Sequence, residues 1–143
     1  MKTAPWWFYK QSAAIPYRVV DGRAEVLLIT SRKGKRWIVP KGVIDLGKTA
    51  PESAANEAYE EAGVRGQISA SHVGEYSYEK WGGTCSVQVF LLEVETVLEE
   101  WPERGKRKRE WVTPERAAEL LNEEELKRVA LAIPGSLSEG NLL

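Results

Sequence analysis

Apolar positions along the chain follow two periods, and the changes between them mark out the elements. Residues 24–30 (Ala-Glu-Val-Leu-Leu-Ile-Thr) form a run with a buried strand's composition, preceded by Tyr17-Arg-Val-Val20 and Asp21-Gly22. Two such flanks around Asp-Gly predict a hairpin with a tight turn. Residues 31–36 are a polar, basic loop, Trp37-Ile-Val-Pro40 is a short strand ended by proline, and 41–48 is a further loop. Between 84 and 95, Val87, Val89 and Leu91 alternate with Gln88, Phe90 and Leu92, which is strand periodicity with at least one face buried. Residues 67–76 read as another strand, Trp81-Gly82-Gly83 as part of the connection between the two, and 106–111 as including a short one.

The period lengthens at 50–62. Thr49 is placed to cap a helix there, with Glu52 three residues on to close a capping box and Pro51 in the first turn, where its missing N–H costs nothing. Gly63 follows at the position where a left-handed residue ends helices. Thr113-Pro114 opens a second helix to about Leu121, and Asn122 with Glu125 opens a third that stops before Pro134-Gly135. Strands with interspersed helices predict one α/β domain over residues 1–143, with its core at about 14–132 and loosely held termini.

Hydrophobic residues make up 43% of the chain, enough for a real core and against wholesale disorder. The net charge of -1 provides no global field for nucleic acid or an anionic membrane. The charges are nevertheless segregated: basic residues crowd 32–36 and 104–109, acids crowd 57–61. Such segregation suits a small substrate carrying both phosphates and bound metal. Cys85, the only cysteine, excludes an internal disulfide and reads as a small core residue. The lone His72 reads as a structural strand residue, not a catalytic one. No run has the length of a membrane span, and the first residues lack a signal peptide's apolar stretch, so a cytoplasmic setting is expected.

On a helical wheel with Ala54 at zero, Ala54, Ala58, Ala62 and Ala55 fall within about 0–100°, and Glu57, Glu60 and Glu61 at about 300°, 240° and 340°. A small apolar face, able to approach a sheet closely, lies beside a carboxylate face. Like charges at i, i+3 and i+4 repel, and no lysine or arginine lies between Thr49 and Val64 to relieve them. A divalent cation would, and hard oxygen donors suit Mg²⁺ or Mn²⁺. A solvated acidic face would look the same, and the helix alone favours that reading. Its surroundings reverse the preference.

Gly42 is followed by five residues and Lys48, then seven more and Asn56-Glu57-Ala58-Tyr59-Glu60-Glu61-Ala62-Gly63-Val64. This segment resembles the Nudix box, in which Gly, five residues, Glu, seven residues and Arg-Glu-aliphatic-any-Glu-Glu-any-Gly-aliphatic follow one another. Val26–Arg32, Arg36–Pro40 and Lys106-Arg-Lys-Arg-Glu-Trp111 are similar to segments of the diphosphoinositol polyphosphate phosphohydrolases. The resemblance extends over roughly residues 14–132. It implies an α/β/α sandwich with a mixed β-sheet and a metal-dependent pyrophosphohydrolase. Its substrate would be a nucleoside diphosphate-linked compound, a dinucleoside polyphosphate or an inositol pyrophosphate. Glu57 and Glu61 would be the principal metal ligands, Glu60 a third ligand or the base, and a backbone carbonyl at Lys41 or Gly42 a further oxygen. Arg18, Arg32, Lys41, Arg107 and Arg109 would bind substrate, and Trp37 and Trp111 would pack in the core. Arg107 and Arg109 would share one face of an extended segment, with Glu110 turned away.

Two positions depart from the pattern: Lys48 stands for Glu and Asn56 for Arg. Lys48 can supply a cation, and Asn56 can donate a hydrogen bond to a glutamate without charge. Two further readings follow: a non-catalytic polyphosphate sensor on the same fold, and an RNA 5′-end pyrophosphohydrolase, which the net charge disfavours. No membrane and no stable nucleic-acid complex are expected, and the chain would act as a monomer or homodimer. With Glu57, Glu60 and Glu61 retained, activity is expected to survive. Asn56→Arg should therefore raise turnover only modestly in a phosphate-release assay. A large rise from a near-zero baseline would mark the site as degenerate.

Overall fold

The computed structural model describes residues 9–138. Its strands are β1 (Lys10–Val20), β2 (Arg23–Thr30), β3 (Trp37–Ile38), β4 (Lys41–Val43), β5 (Val64–Ile68), β6 (Gly74–Lys80), β7 (Gly83–Val97) and β8 (Arg109–Val112). Its helices are α1 (Ala50–Glu57), which passes into a π-helical turn (Ala58–Ala62), α2 (Pro114–Leu120) and α3 (Glu124–Ser138). The end of the expected loose tail, 139–143, lies outside the described residues, as do residues 1–8.

The β1–β2 hairpin turns on Asp21 (φ 52°) and Gly22 (φ 78°), the two positive dihedrals that match a turn to the twist of its strands. Trp81 (φ 52°) and Gly82 (φ 76°) do the same between β6 and β7. β1 runs parallel to β7, with Lys10–Tyr17 beside Ser86–Glu93. β7 carries both β5 and β6 antiparallel to it, and β2 carries β3 and β8. The result is one mixed eight-stranded sheet. β1 and β2 pair only from Tyr17 and Val26 to the turn. Farther out, β3 pairs with the end of β2 and β4 with the start of β1, and the Ala14 N–H donates to the Pro40 carbonyl at 3.0 Å. Residues 37–43 thus cross from one strand's edge to the other's.

Alternation along the central strands sends side chains to two cores. Ile15, Tyr17, Val26, Leu28, Val87 and Val89 pack with Leu121, Leu126, Val129 and Ile133 of the α2–α3 layer. Ala14, Leu27, Ile29, Phe90 and Leu92 pack with Ala54, Ala58 and Ala62 of the α1 layer. The expected α/β class with a mixed sheet is therefore present, and Trp37 and Trp111 pack against these cores.

Four local expectations change. The strand read at 67–76 is two strands, β5 and β6, separated by a loop that holds His72. Ser69 makes the break: its N–H donates to the Leu91 carbonyl (2.9 Å) and its Oγ accepts from the Leu91 N–H (3.1 Å), so it stays tied to β7 while the chain detours. Part of the loop at 41–48 becomes β4. The third helix starts at Glu124 and continues through Pro134. Burial of Leu126, Val129, Ala130 and Ile133 outweighs the hydrogen bond the proline cannot make, since packing contributes most of a helix's stability. Glu125 does not close a box with Asn122; its Oε2 accepts from the Glu75 N–H (3.3 Å) and its Oε1 from Arg128 (2.6 Å).

The alanine face leaves no room between α1 and the sheet: Ala54, Ala58 and Ala62 are each 0% exposed. Ala58→Leu is expected to lower stability by about 1–3 kcal/mol through overpacking. A drop in the midpoint of denaturant unfolding checks it, and an unchanged midpoint would show that the layer is loosely packed.

Candidate active site

The carboxylate-bearing helix starts as its sequence predicts. Thr49 Oγ1 accepts from the Glu52 N–H (3.2 Å), and Glu52 Oε1 accepts from the Thr49 N–H (2.8 Å). Ser53 Oγ accepts from the Asp45 N–H (3.1 Å), tying the entering loop to the first turn. From Ala58 the winding changes to π, and the Gly63 N–H reaches both the Ala58 and Tyr59 carbonyls as the chain turns left-handed (φ 68°). Single π turns within helices are rare and frequent at functional sites. The change of winding accompanies a change of environment: Glu61, on the carboxylate face of the helix, is only 7% exposed.

Glu57 and Glu61 lie close enough for each to act on the other's ionisation. Gly42 makes room for them. A Cβ there would stand 2.5 Å from the Glu57 carboxyl carbon, so a side chain at this position would displace the carboxylate. The Lys41 N–H donates to Glu61 Oε1 at 3.3 Å. Burial, then the charge of Glu61, pushes the Glu57 carboxyl from its ordinary 4.5 up to about 8. Burial raises Glu61 as well, while the Arg107 guanidinium, with NH2 3.8 Å from Oε2, opposes the rise. No cation among the described residues relieves Glu57 in the same way. Two hard-oxygen donors, Glu61 buried and Glu57 half-buried, that resist ionising together fit a divalent cation such as Mg²⁺ or Mn²⁺. Glu60 does not join the pair; its Oε1 accepts from Asn56 Nδ2 at 3.2 Å. Among the described residues no three His, Cys, Asp or Glu side chains form a ready metal cage.

Glu103, which no motif in the sequence marks, holds Arg107. Its Oε1 is 2.8 Å from Arg107 Nε, and its backbone N–H donates to the Glu60 carbonyl (3.0 Å). Arg107 NH1 donates to the Thr30 carbonyl (3.0 Å). The Thr30 N–H donates to the Lys108 carbonyl and the Lys108 N–H to Thr30 Oγ1, both at 3.0 Å. These bonds bring the two basic loops together around a cavity of about 460 Å³, in which six of the ten lining residues are Lys or Arg and none is acidic. A smaller cavity of about 130 Å³ adjoins Glu61 and shares Arg36 and Arg107 with the first. Lys41 lines the smaller one. Its Nζ donates to Tyr78 Oη (3.1 Å) and Gln11 Oε1 (3.4 Å), and burial lowers the ammonium's pKa although Glu61 opposes this. Gln11 and Tyr78 are neighbours of Lys41 that no motif in the sequence marks.

The remaining candidates are placed otherwise. Arg32 is 68% exposed, 4.0 Å from Glu103. Arg18 bonds Glu25 (2.8 Å) and stacks on Trp111 (3.9 Å to the ring centroid). It stands five residues along β1 from Ala13, the partner of Lys41, or about 17 Å at strand rise. Arg107 and Arg109 are both half-buried, and Glu110 is exposed between the half-buried Arg109 and Trp111. Arg109 donates to the carbonyls of Ala62 (3.0 Å), Gly63 (3.2 Å) and Leu98 (2.5 Å) and covers Trp101. That satisfies the end of the π turn and leaves the guanidinium occupied by backbone. Lys48 lines a separate hollow of about 240 Å³ with Asn56 and Arg65, and none of Gly42, Glu57 and Glu61 lines it. Cys85 is buried, as expected.

A sheet between helical layers, a Gly-loop-helix placing paired carboxylates, and cationic cavities beside them define a phosphoanhydride hydrolase fold. The NUDIX domain model matches residues 9–132, and the chain belongs to the Nudix family and is a Nudix hydrolase. It is 38% identical over 128 residues to Nudix hydrolase 16, mitochondrial, of Arabidopsis thaliana, covering 76% of this chain and 69% of that one. It is 35% identical over 147 aligned positions to diphosphoinositol polyphosphate phosphohydrolase 3-alpha of Mus musculus, covering 96% and 86%. A C. elegans Ap4A hydrolase binary complex shares the fold, with a TM-score of 0.70 at 23% identity over 92% of this chain and 98% of that one. No helix among the described residues is long and apolar enough to cross a membrane.

Glu57 carries a pH-dependent cost. Unfolded, it ionises near 4.5; folded and free of metal, it keeps its proton up to about 8. Folding stability is therefore lost as pH rises through that window. Without metal, Glu57→Gln should unfold at the same denaturant concentration as the parent near pH 4, and at a higher one near pH 8. Chemical denaturation in chelator at both pH values checks it, and no gain at pH 8 would contradict the paired burial.

Proposed function

We propose that this Nudix hydrolase performs metal-dependent hydrolysis of a phosphoanhydride bond. The substrate is a nucleoside diphosphate-linked compound, a dinucleoside polyphosphate or an inositol pyrophosphate. The observation that carries the reading is the Glu57–Glu61 pair set against Gly42 at the edge of cavities lined by Lys41, Arg36 and Arg107. Glu57 and Glu61 would hold Mg²⁺ or Mn²⁺, which when bound neutralises phosphate oxygens and lowers the pKa of water. Lys41, Arg36 and Arg107 draw the polyanion against the glutamates, the arginines through forked donors that match phosphate oxygens. Water attacks phosphorus, the bridging P–O bond breaks, and the attacking water's proton passes to a carboxylate. Glu60 is the candidate acceptor, held by Asn56 one turn from Glu57.

The relatives support the class: one is named as a diphosphoinositol polyphosphate phosphohydrolase, and a structural neighbour as an Ap4A hydrolase. The test is phosphate release from all three substrate classes with Mg²⁺, with Mn²⁺ and with chelator. Turnover should require the metal, and Glu61→Gln should reduce it by more than the roughly 100-fold that losing an outer partner of a metal ligand costs. Tight binding without turnover would favour a sensor. Equal turnover in Glu61→Gln would remove Glu61 from the mechanism.

A further inference from the structure

Arg107 stands between two carboxylates and treats them unequally. Its Nε donates to Glu103 Oε1 at 2.8 Å, whereas its NH2 lies 3.8 Å from Glu61 Oε2, too far for a hydrogen bond. NH1 donates to the Thr30 carbonyl at 3.0 Å. The guanidinium is thus fastened at two nitrogens, and the third faces Glu61 without bonding it. A movement of about 1 Å would turn that contact into a charge-assisted bond of ordinary length. The side chains of Arg107, Glu61 and Glu103 are all largely enclosed, so little water screens either pair.

A direct bond from Arg107 to Glu61 would have a consequence for metal binding. It would occupy a Glu61 oxygen with a guanidinium, and a divalent cation could take that oxygen only by breaking the bond. Glu103 opposes the movement by holding Nε. Its own place is fixed from the same turn of helix, because its backbone N–H donates to the carbonyl of Glu60, the residue before Glu61. The anchor and the carboxylate it protects therefore keep a constant spacing. Arg32, 4.0 Å from Glu103 Oε2, adds a second cation on the far side of the anchor.

Resting on the metal-dependent hydrolase reading above, we propose that Glu103 is a positioning residue: it holds Arg107 back from Glu61, so that Glu61 stays open to the divalent cation and the NH2 of Arg107 stays available to a phosphate oxygen. An ion pair that only stapled the loop to the helix would leave metal affinity unchanged as long as the fold persists.

The test is calorimetric titration with Mn²⁺, without substrate, on the parent, Glu103→Gln, Glu103→Ala, Arg107→Met and the two double variants. The binding that Glu61→Gln abolishes identifies the site. Glu103→Gln and Glu103→Ala should each lower the affinity by about tenfold, the lower end of what losing an outer partner of a metal ligand costs. In the Arg107→Met background neither should change it by more than about twofold, because the competing cation is gone and the coupling with it. The charge of Glu103 also acts on Glu61 directly, and a purely electrostatic role predicts the same loss in both backgrounds. That outcome, or an unchanged affinity with Arg107 present, would overturn the proposal. Glu103→Gln retains the size of the side chain and carries the test if Glu103→Ala fails to fold, which circular dichroism checks. A parent with no such Mn²⁺ site and no metal-dependent turnover contradicts the hydrolase reading and this proposal together. A parent that binds Mn²⁺ and turns over, with an affinity that Glu103→Gln does not move, contradicts the role of Glu103 alone.

Discussion

Glu57 and Glu61 bring two carboxylates together in a partly buried place, and their repulsion is the constraint that the surrounding structure accommodates. Leaving the pair unpartnered would drive one of them to keep its proton, as the upward shift of Glu57 shows. The neighbours act against this one by one. The Lys41 amide and the Arg107 guanidinium attend Glu61, Gly42 withdraws its side chain from Glu57, and the remaining imbalance is what a divalent cation would cancel. The alanine face follows from the same demand. Ala54, Ala58 and Ala62 let the helix approach the sheet closely enough to meet β4, where Lys41 and Gly42 lie.

Holding charges in this way requires rigid partners from distant parts of the chain. Arg107 is only 7% exposed and is fastened through Glu103 and the Thr30 carbonyl. Glu103 is itself tied by its backbone to the π turn through Glu60. The second basic loop is thus attached both to the end of β2 and to the helix that carries the glutamates. Arg109 extends this attachment by closing the carbonyls at the helix end. Two neighbouring cations of one run therefore have different tasks, Arg107 facing the carboxylates and Arg109 facing backbone. The two departures from the box pattern fit the same layout. Asn56 keeps a hydrogen bond to Glu60, and Lys48 lies in a hollow that the Glu57–Glu61 pair does not enter, so neither change touches the pair directly.

Local chemistry was legible wherever a short stretch decides its own conformation. Thr49, Glu52 and Gly63 mark the helix because capping bonds and a left-handed terminus involve residues a few positions apart. Asp21-Gly22 marks the hairpin for the same reason. The spacing from Gly42 to Glu57 and Glu61 identified the carboxylates and the family, and the alternation at 84–95 identified the central strand. Decisions that depend on distant partners were not legible. Ser69 breaks a strand because Leu91 offers it backbone bonds. α3 continues through Pro134 because its apolar face is buried. The π winding that accompanies the burial of Glu61 has no local signature. Arg18, Arg109 and Arg107 are alike as sequence, and only packing gives them a tryptophan face, a set of carbonyls and a carboxylate respectively. The chain by itself determined which residues can bear the chemistry. Tertiary structure decided which of them meet, because charge and hydrogen bonding act across space between segments that the sequence keeps far apart.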